Sequence, residues 1–251
     1  MGYVGKKPTA APLTASDVTD GIISNAKLAQ DIISAETALA EAPADTDEFL
    51  LSDAGTLKRI DYSLIKGGGM YELLQTQTIS SGVSSVDFTS TQMTTSHLDY
   101  LIIYSGVRLS TDNIKFSVRV STDGGSTYDT SSNYRYASIG RHDDAGTDVR
   151  QNNADDEIIL HIRSTGNATG ESISGIIELF DPLNQTSDNK FFTMNFRTTH
   201  FESTNFLCNT SGAGAYDIAG SEDSVINGIR FFPQSGNIDA GVFSIYGRKT
   251  S

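Results

Sequence analysis

Histidine and cysteine are the side chains of this sequence best suited to catalysis or metal binding, and there are four of the first and one of the second. His97, His142, His161 and His200 show neither a His-x-His nor a His-Glu-x-x-His spacing, so the sequence predicts no internal metal site. The single Cys208 excludes an intramolecular disulfide, and we interpret it as a buried structural thiol. A Gly-x-Ser-x-Gly elbow and a phosphate-binding glycine loop are both absent from the sequence. The prediction is therefore a protein without an enzyme active site, cofactor or metal.

The segment Ser121–Tyr128 matches the Asp-box pattern of sialidase-like propellers, with Tyr128 at the aromatic position. In those proteins the motif recurs in every blade, whereas it occurs once in this chain, so a propeller is not favoured. The alternative is a β-turn in which Asp123 accepts hydrogen bonds from backbone amides and the glycines supply positive φ angles.

Acidic pairs bracket a second loop, which starts at His142 and Asp143 and runs to Asp155. Such a loop could bind Ca²⁺ through several oxygen ligands, or a sugar through its hydroxyls. The fixed spacing of a dedicated calcium loop is missing, so a solvated loop is the simpler interpretation. Tyrosines in or beside loops, among them Tyr128 and Tyr216, could stack on sugar rings, although tyrosine is also ordinary on a sandwich surface.

The overall charge limits the partners. A formal net charge of −13 and a pI near 4.6 argue against binding to nucleic acid or to an anionic membrane, since either polyanion would be repelled. The first residues contain no apolar stretch of signal-peptide length, and no later segment is long and apolar enough to insert in a membrane. We expect a protein made in the cytoplasm and not exported by the usual route.

Residues 70–251 have the two-residue period of β-strands, and no convincing long helix interrupts it. The β-rich runs are Leu73–Ile79, Val86–Thr89, Leu98–Tyr104, Lys115–Val120, Asn133–Ile139, Ile158–Arg163, Ile173–Phe180, Phe191–Phe196, Ile226–Phe232 and Val242–Tyr246. The last two runs flank a turn-prone Pro233–Asn237 and predict a closing hairpin, with Phe243 and Ile245 on one face. Long connections at Arg141–Asp155 and Asn209–Ser224 favour a jelly-roll-like antiparallel β-sandwich over a meander. Gly175 predicts a bulge or a close approach within its strand.

Residues 1–69 read as a mostly irregular N-terminal arm that ends in a glycine hinge, Gly67–Gly69. A short helix is predicted from Ser34 to Glu41, before Pro43. A small hairpin is predicted from Glu48–Ser52 and Leu57–Ile60. None of these pieces buries enough surface to offset its own ordering entropy, so the arm is expected to pack on other chains.

Both regions resemble the fibre proteins of tailed bacteriophages. The Asp-Gly-Ile and Ala-Lys-Leu-Ala sequences between Leu13 and Ile33, and the stretch Ala44–Asp53, are similar to segments of those fibres. The small jelly-roll domains of phage fibres and related virion proteins are resembled by Tyr100–Tyr104, Ser121–Tyr128, Ser174–Asp181 and Ala240–Gly247. The resemblance implies a homotrimer, in which residues 1–69 serve virion attachment and trimerisation and residues 70–251 point outward.

The function implied by the resemblance is that of a virion structural protein, a short tail fibre whose C-terminal domain contacts a glycan or protein of the host surface. Its partners would be other phage tail or capsid proteins. The attachment residues implied are Tyr3, Leu13, Ile22, Leu28 and Ile32, and the candidate host-contact residues are Asp123, Tyr128, His142, Asp143 and Tyr216. The chain has almost no shaft, so two alternatives stay open: a capsid or tail decoration or adaptor protein without a receptor, and a glycan-cleaving surface enzyme.

Overall fold

The computed structural model of the chain describes residues 37–65, 69–183, 191–217 and 225–249. Two compact units divide the chain, Met1–Gly67 and Gly68–Ser251. The described residues form antiparallel strands joined by loops, with one helix of four residues. The predicted all-β class is therefore confirmed.

The described part of the first unit contains the small hairpin that the sequence predicts. β1 (Glu48–Asp53) pairs with β2 (Thr56–Asp61), and the turn residues Ala54 and Gly55 have φ angles of 50° and 86°. The single-turn helix α1 (Tyr62–Ile65) follows directly. The side chains of this hairpin are largely exposed, so it has little core of its own.

The helix predicted from Ser34 to Glu41 is not formed in its described part, residues 37–41. Leu39, the apolar residue that would anchor it, is 67% exposed. A helix of this length is marginal unless an apolar face packs against something, and this one lacks that support. The residues before 37 lie outside the described part of the chain.

The described residues of the second unit form twelve strands in two antiparallel sheets. Eight strands form the larger sheet in the order β3-β14-β5-β10-β11-β12-β7-β8, and four form the smaller sheet in the order β4-β13-β6-β9. Their bounds are β3 Tyr71–Ile79, β4 Val86–Phe88, β5 His97–Leu109, β6 Phe116–Ser121, β7 Tyr134–His142, β8 Thr147–Asp155, β9 Ile158–Ile159, β10 Ile173–Phe180, β11 Phe192–Phe201, β12 Leu207–Tyr216, β13 Gly228–Pro233 and β14 Ile238–Lys249.

The connectivity is that of a jelly roll with two inserted hairpins. The four-strand blocks β3-β14-β5-β10 and β4-β13-β6-β9 face each other, and the chain passes from one block to the other at every step between these strands except from β6 to β9. The hairpins β7–β8 and β11–β12 add four further strands to the larger sheet only. The larger sheet therefore extends well beyond the smaller one.

The core lies between the sheets and is centred on aromatic side chains. Tyr104, Phe116, Phe231 and Phe243 are fully buried, and their ring centroids lie 5.4–6.4 Å apart. Aromatic pairs in tilted or offset geometry contribute about 0.5–1.5 kcal/mol each beyond their buried area. The prediction that Phe243 and Ile245 lie on one buried face of their strand, β14, is confirmed.

Gly175 shows both features predicted for it. The register between β10 and β5 shifts next to Gly175, and a Cβ atom at this position would overlap the Tyr104 ring and the carbonyl oxygen of Arg197. The missing side chain lets Tyr104 lie close against β10, where its hydroxyl and that of Thr198 form a hydrogen bond of 2.5 Å.

The predicted closing hairpin is wrong, because β13 and β14 belong to different sheets. β13 pairs with β4 and β6, whereas β14 pairs with β3 and β5. Phe231 and Phe243 face each other across the core with ring centroids 5.4 Å apart. Both strands bury an apolar face, and facing sheets bury the two faces against each other. The turn between them therefore crosses the sandwich.

Two predicted loops are also wrong, since most of Arg141–Asp155 is β8 and much of Asn209–Ser224 is β12. β8 is an edge strand exposed along most of its length, and it carries polar side chains on both faces. β12 contains glycine and alanine at several positions, which removes the apolar alternation from its sequence.

The run Ile158–Arg163 forms a strand only at Ile158–Ile159. Residues 158 to 162 are all buried, so no solvated face alternates with a buried one. The segment lies against the inner side of the larger sheet, where the Ile162 amide donates to the Thr210 hydroxyl of β12 at 3.2 Å. Cβ atoms at Gly140 and Gly214 would collide with Ile162 and Ile158, so both glycines make room for this segment.

Candidate functional site

The Ser121–Tyr128 segment, which matches the Asp-box pattern, forms a tight turn held by Asp123, as the β-turn alternative predicted. Both carboxylate oxygens of Asp123 are engaged: Oδ1 accepts from the Thr127 amide at 2.8 Å, and Oδ2 accepts from the Thr127 hydroxyl at 2.7 Å. These hydrogen bonds lower the pKa of Asp123 to about 2. Gly124 and Gly125 have φ angles of 78° and 94°, as the turn requires. Asp123 therefore holds the turn in shape.

Tyr128 packs this turn onto the smaller sheet. The Arg230 guanidinium lies 4.0 Å from the centroid of the Tyr128 ring, and two of its nitrogens donate to the Asp87 carboxylate at 2.8 and 2.7 Å. Burial raises the pKa of Tyr128 to about 12. One face of the ring is thus occupied by an arginine of the same chain.

Tyr216 lies in a polar depression of about 330 Å³ near the same end of the sandwich. Its hydroxyl donates to Asp129 at 2.8 Å, and Asn133 and Ser131 donate to the same carboxylate. Burial acts to raise the pKa of Asp129, but these hydrogen bonds outweigh it and lower the pKa. Sequence reasoning did not single out Asp129, because a lone aspartate between strands has no motif.

His142 and Asp143 lie at the other end of β7. His142 is buried beside Asp144, and its Nε2 is 3.7 Å from Asp148. The Asp143 carboxylate accepts from the Leu207 amide at 3.1 Å. Arg163 completes this ionic group through its Nε, 2.6 Å from Asp148, and the hydrogen bond from Arg163 lowers the pKa of Asp148.

The five candidate host-contact residues therefore divide between two ends. Tyr134 begins β7 beside Tyr216, whereas His142 ends it beside Cys208. Nine residues of extended strand separate the two ends by about 27 Å. The described residues do not bring all five together. The candidate attachment residues Tyr3, Leu13, Ile22, Leu28 and Ile32 lie outside the described part of the chain.

Two histidines form a buried pair on the inner side of the larger sheet. The rings of His161 and His200 lie 4.6 Å apart, and both donate to the carbonyl oxygen of Arg163. The Phe116 amide donates to Nε2 of His161 at 2.9 Å, which requires a neutral His161 ring. Burial lowers the pKa of both rings, that of His200 to about 4. Lys115 faces the same pair, and burial lowers its pKa to about 7.

Cys208 is fully buried beside this cluster, which confirms the interpretation of a buried thiol. Burial raises the pKa of the Cys208 thiol to about 11. The thiolate needed for nucleophilic chemistry is therefore disfavoured at neutral pH.

The outer face of the larger sheet carries an extended depression. It consists of three hollows of about 340, 340 and 400 Å³. The middle hollow shares Asn195 with one neighbour, and it shares Ile176 and Arg197 with the other. Together they form a trough across the strands from β5 to β8, a width of about 24 Å at the ~4.8 Å spacing of neighbouring strands. We call this feature the outer-face trough.

The strand register explains how the trough is built. Ile103, Ile176, Arg197 and Ser211 are consecutive partners on adjacent strands, so their side chains stand in one row on the outer face. The next row contains Glu178, Asn195, Ala213 and Ala137. Small residues on β12 and β7 leave space between the taller side chains of these rows.

Four polar side chains in the middle of the trough are unpaired within the described residues. Glu178, Asn195, Arg197 and Ser211 form no side-chain hydrogen bond or ion pair with any other residue that the structure describes. Sequence reasoning assigned Asn195 to a β-strand run but did not select it as a site residue. The alternation alone could have marked its outward position, but it could not show that neighbouring strands place Arg197 and Glu178 next to it.

Among residues 37–65, 69–183, 191–217 and 225–249, no three His, Cys, Asp or Glu side chains are grouped to hold a metal ion. In the same residues, no helix has the length and apolar character needed to cross a membrane. Comparison with known proteins gives no match: no protein-family model, no curated protein and no solved structure is similar to this chain.

Proposed function

We propose that this chain is a structural protein of a tailed-bacteriophage particle, a short tail fibre. Residues 1–69 would attach it to the particle, and residues 70–251 would contact the host surface. The observation that carries the proposal is the fibre-like sequence of Leu13–Ile33 and Ala44–Asp53, joined in one chain to a jelly roll. A jelly roll alone hosts many functions, so the arm supplies the specificity.

The role proposed for the second unit is adhesion, without catalysis. The groups that could do chemistry are held in structural contacts: Asp123 and Asp129 accept hydrogen bonds from their own loops, and Cys208 is a buried neutral thiol. The outer-face trough instead presents unpaired polar side chains to solvent. That arrangement favours reversible binding over bond breaking.

The proposed fibre is a homotrimer. Weak sites repeated on three chains, and on several fibres around a particle, gain from effective concentration what each site lacks in affinity. Light scattering of the purified chain should give about three times its mass of 26.9 kDa. A stable monomer at micromolar concentration would contradict the proposal.

Attachment to the host is tested by binding and by position. The purified chain should bind cells of the host strain and should inhibit infection by the phage that carries it. Antibodies against the chain should label the tail of intact particles in electron micrographs. Labelling of the capsid, with no cell binding, would show that the chain is a decoration protein and not a fibre. Release of new reducing ends from host polysaccharide would indicate an enzyme.

A further inference from the structure

The geometry of the outer-face trough points to a binding site for an uncharged linear oligosaccharide. This inference rests on the proposed function, because it names the chemistry of the host molecule that the second unit contacts. It also moves the contact from the loops, where the sequence indicated it, to the face of a sheet. Four properties of the trough support it.

The first property is the kind of polar group present. Asn195 offers amide donors and an acceptor, Arg197 offers guanidinium donors, and Glu178 and Ser211 offer acceptors, all lining one hollow. A sugar hydroxyl both donates and accepts, so a mixed set of this kind can satisfy it. Because these groups have no partner among the described residues, binding would break no contact between described side chains.

The second property is the apolar surface between the polar groups. Ile103 and Ile176 line one end of the trough, and Ala213 and Ala215 line the other beside Phe180. The ring of Phe180 is 39% exposed. The C–H faces of sugar rings pack against surfaces of this kind, with an aromatic ring as platform.

The third property is shape. The trough crosses the strands from β5 to β8 and is continuous through shared lining residues. An extended chain of several sugar units fits a long shallow groove, whereas a compact small molecule would fill one hollow. A protein partner would need large buried anchors, and the middle of the trough has small and polar residues instead.

The fourth property is charge. The protein has a net charge of −13, but the trough contains one unpaired cation, Arg197, and one unpaired anion, Glu178. A second lining cation, Arg135, is paired with Asp217 at 2.5 Å. The trough is therefore close to neutral, and an acidic polysaccharide would be repelled by the rest of the surface. An uncharged glycan meets no such penalty.

The experiment uses the whole chain on an array of neutral and acidic bacterial oligosaccharides, followed by titration calorimetry with the neutral oligosaccharide that binds best. Arg197→Ala and Asn195→Ala should each weaken that binding about tenfold or more, since each removes hydrogen bonds to the ligand. Ala213→Tyr should abolish it by filling the trough. Arg108→Ala is the matched control, because Arg108 is an exposed arginine of the same sheet outside the trough. Its affinity should stay unchanged.

The outcomes separate this inference from the proposed function. If the chain binds host cells but Ala213→Tyr binds them equally well, the fibre assignment stands and the trough is not the site. Binding only to acidic glycans, or to none, would also overturn the inference. If Ala213→Tyr changes the oligomeric state, the trough is an interface between copies, and the inference is wrong. If the wild-type chain binds no host cell, the proposed function itself fails.

Discussion

The outer face of the smaller sheet and the outer-face trough of the larger sheet use polar side chains in opposite ways. On the smaller sheet, Arg230 stands beside Asp87 on β4 and donates two hydrogen bonds to it. Arg119, its neighbour on β6, donates to the Asp156 carbonyl at 2.8 Å and covers the Phe232 ring. On the larger sheet, Arg197 and Glu178 are near each other but unpaired within the described residues.

Within one fold, the polar side chains of one surface are thus paired with each other, whereas those of another surface stay unpaired and open to a ligand. Register places opposite charges directly across from each other on the smaller sheet, where they satisfy one another. On the larger sheet, the cross-strand partners of Arg197 are Ile176 and Ser211, which cannot neutralise it. A face completed by its own contacts should govern stability, and a face left open should govern binding.

The largest expected effect concerns the inner side of β11, the strand that carries Arg197 outward. A histidine in the unfolded chain titrates near pH 6.5, whereas burial lowers the pKa of His200 to about 4. Between these values the unfolded chain binds the extra proton, so the free energy of unfolding falls as the pH drops below 6.5. The loss from His200 alone should reach about 2 kcal/mol at pH 5.

Urea denaturation at pH 7.5 and pH 5 measures this loss, and hydrogen exchange should locate it in β11 and β12, while the smaller sheet stays protected. His200→Gln cannot be charged in this range and should make the pH profile shallower, leaving the part that His161 contributes. Equal urea midpoints at the two pH values for the wild-type chain would contradict the prediction.

The next effect tests the paired side chains on the outer face of the smaller sheet. Asp87→Ala removes the carboxylate that holds Arg230 over Tyr128 and should destabilise the second unit by about 1 kcal/mol, a value reduced by partial solvent exposure of both side chains. Thermal unfolding measures the change. Asp112→Ala is the control, because Asp112 is an exposed aspartate in a loop. A midpoint equal to that of the control would remove the contrast between the two faces.

The smallest effect is expected on the open face. Glu178→Ala should change the free energy of unfolding by less than about 0.5 kcal/mol, because the carboxylate has no partner among the described residues. The same thermal measurement applies. A loss as large as that of Asp87→Ala would show that the open face also stabilises the fold, and it would break the comparison.

The parts of the fold that could be predicted are those with a strict alternation. β7 and β11 bury every second side chain, and the apolar residues of β11, such as Phe192, Met194 and Phe196, state that pattern in the sequence. β12 obeys the same geometry, but glycine and alanine occupy many of its positions, so its sequence carries no comparable signal. Burial without a large side chain is invisible in a hydrophobic pattern.

Pairing between strands was harder to predict than the strands themselves. A turn-rich segment between two apolar runs indicates a hairpin, yet β13 and β14 sit in opposite sheets because their apolar faces meet across the core. The outer-face trough has the same origin in long-range register. Asn195 and Ser211 lie on different strands, and only the β11–β12 pairing places both beside Arg197.

The position of β14 has a consequence for the order of folding. β14 lies between β3 and β5, and the Thr76 and Ser244 hydroxyls that meet at 2.9 Å are 168 residues apart in sequence. During synthesis, β3 and β5 cannot be joined in the larger sheet until β14 has been made, and contacts so distant in sequence form slowly. Unpaired strand edges in that interval can pair with those of another nascent chain. Folding and mispairing thus compete until β14 leaves the ribosome.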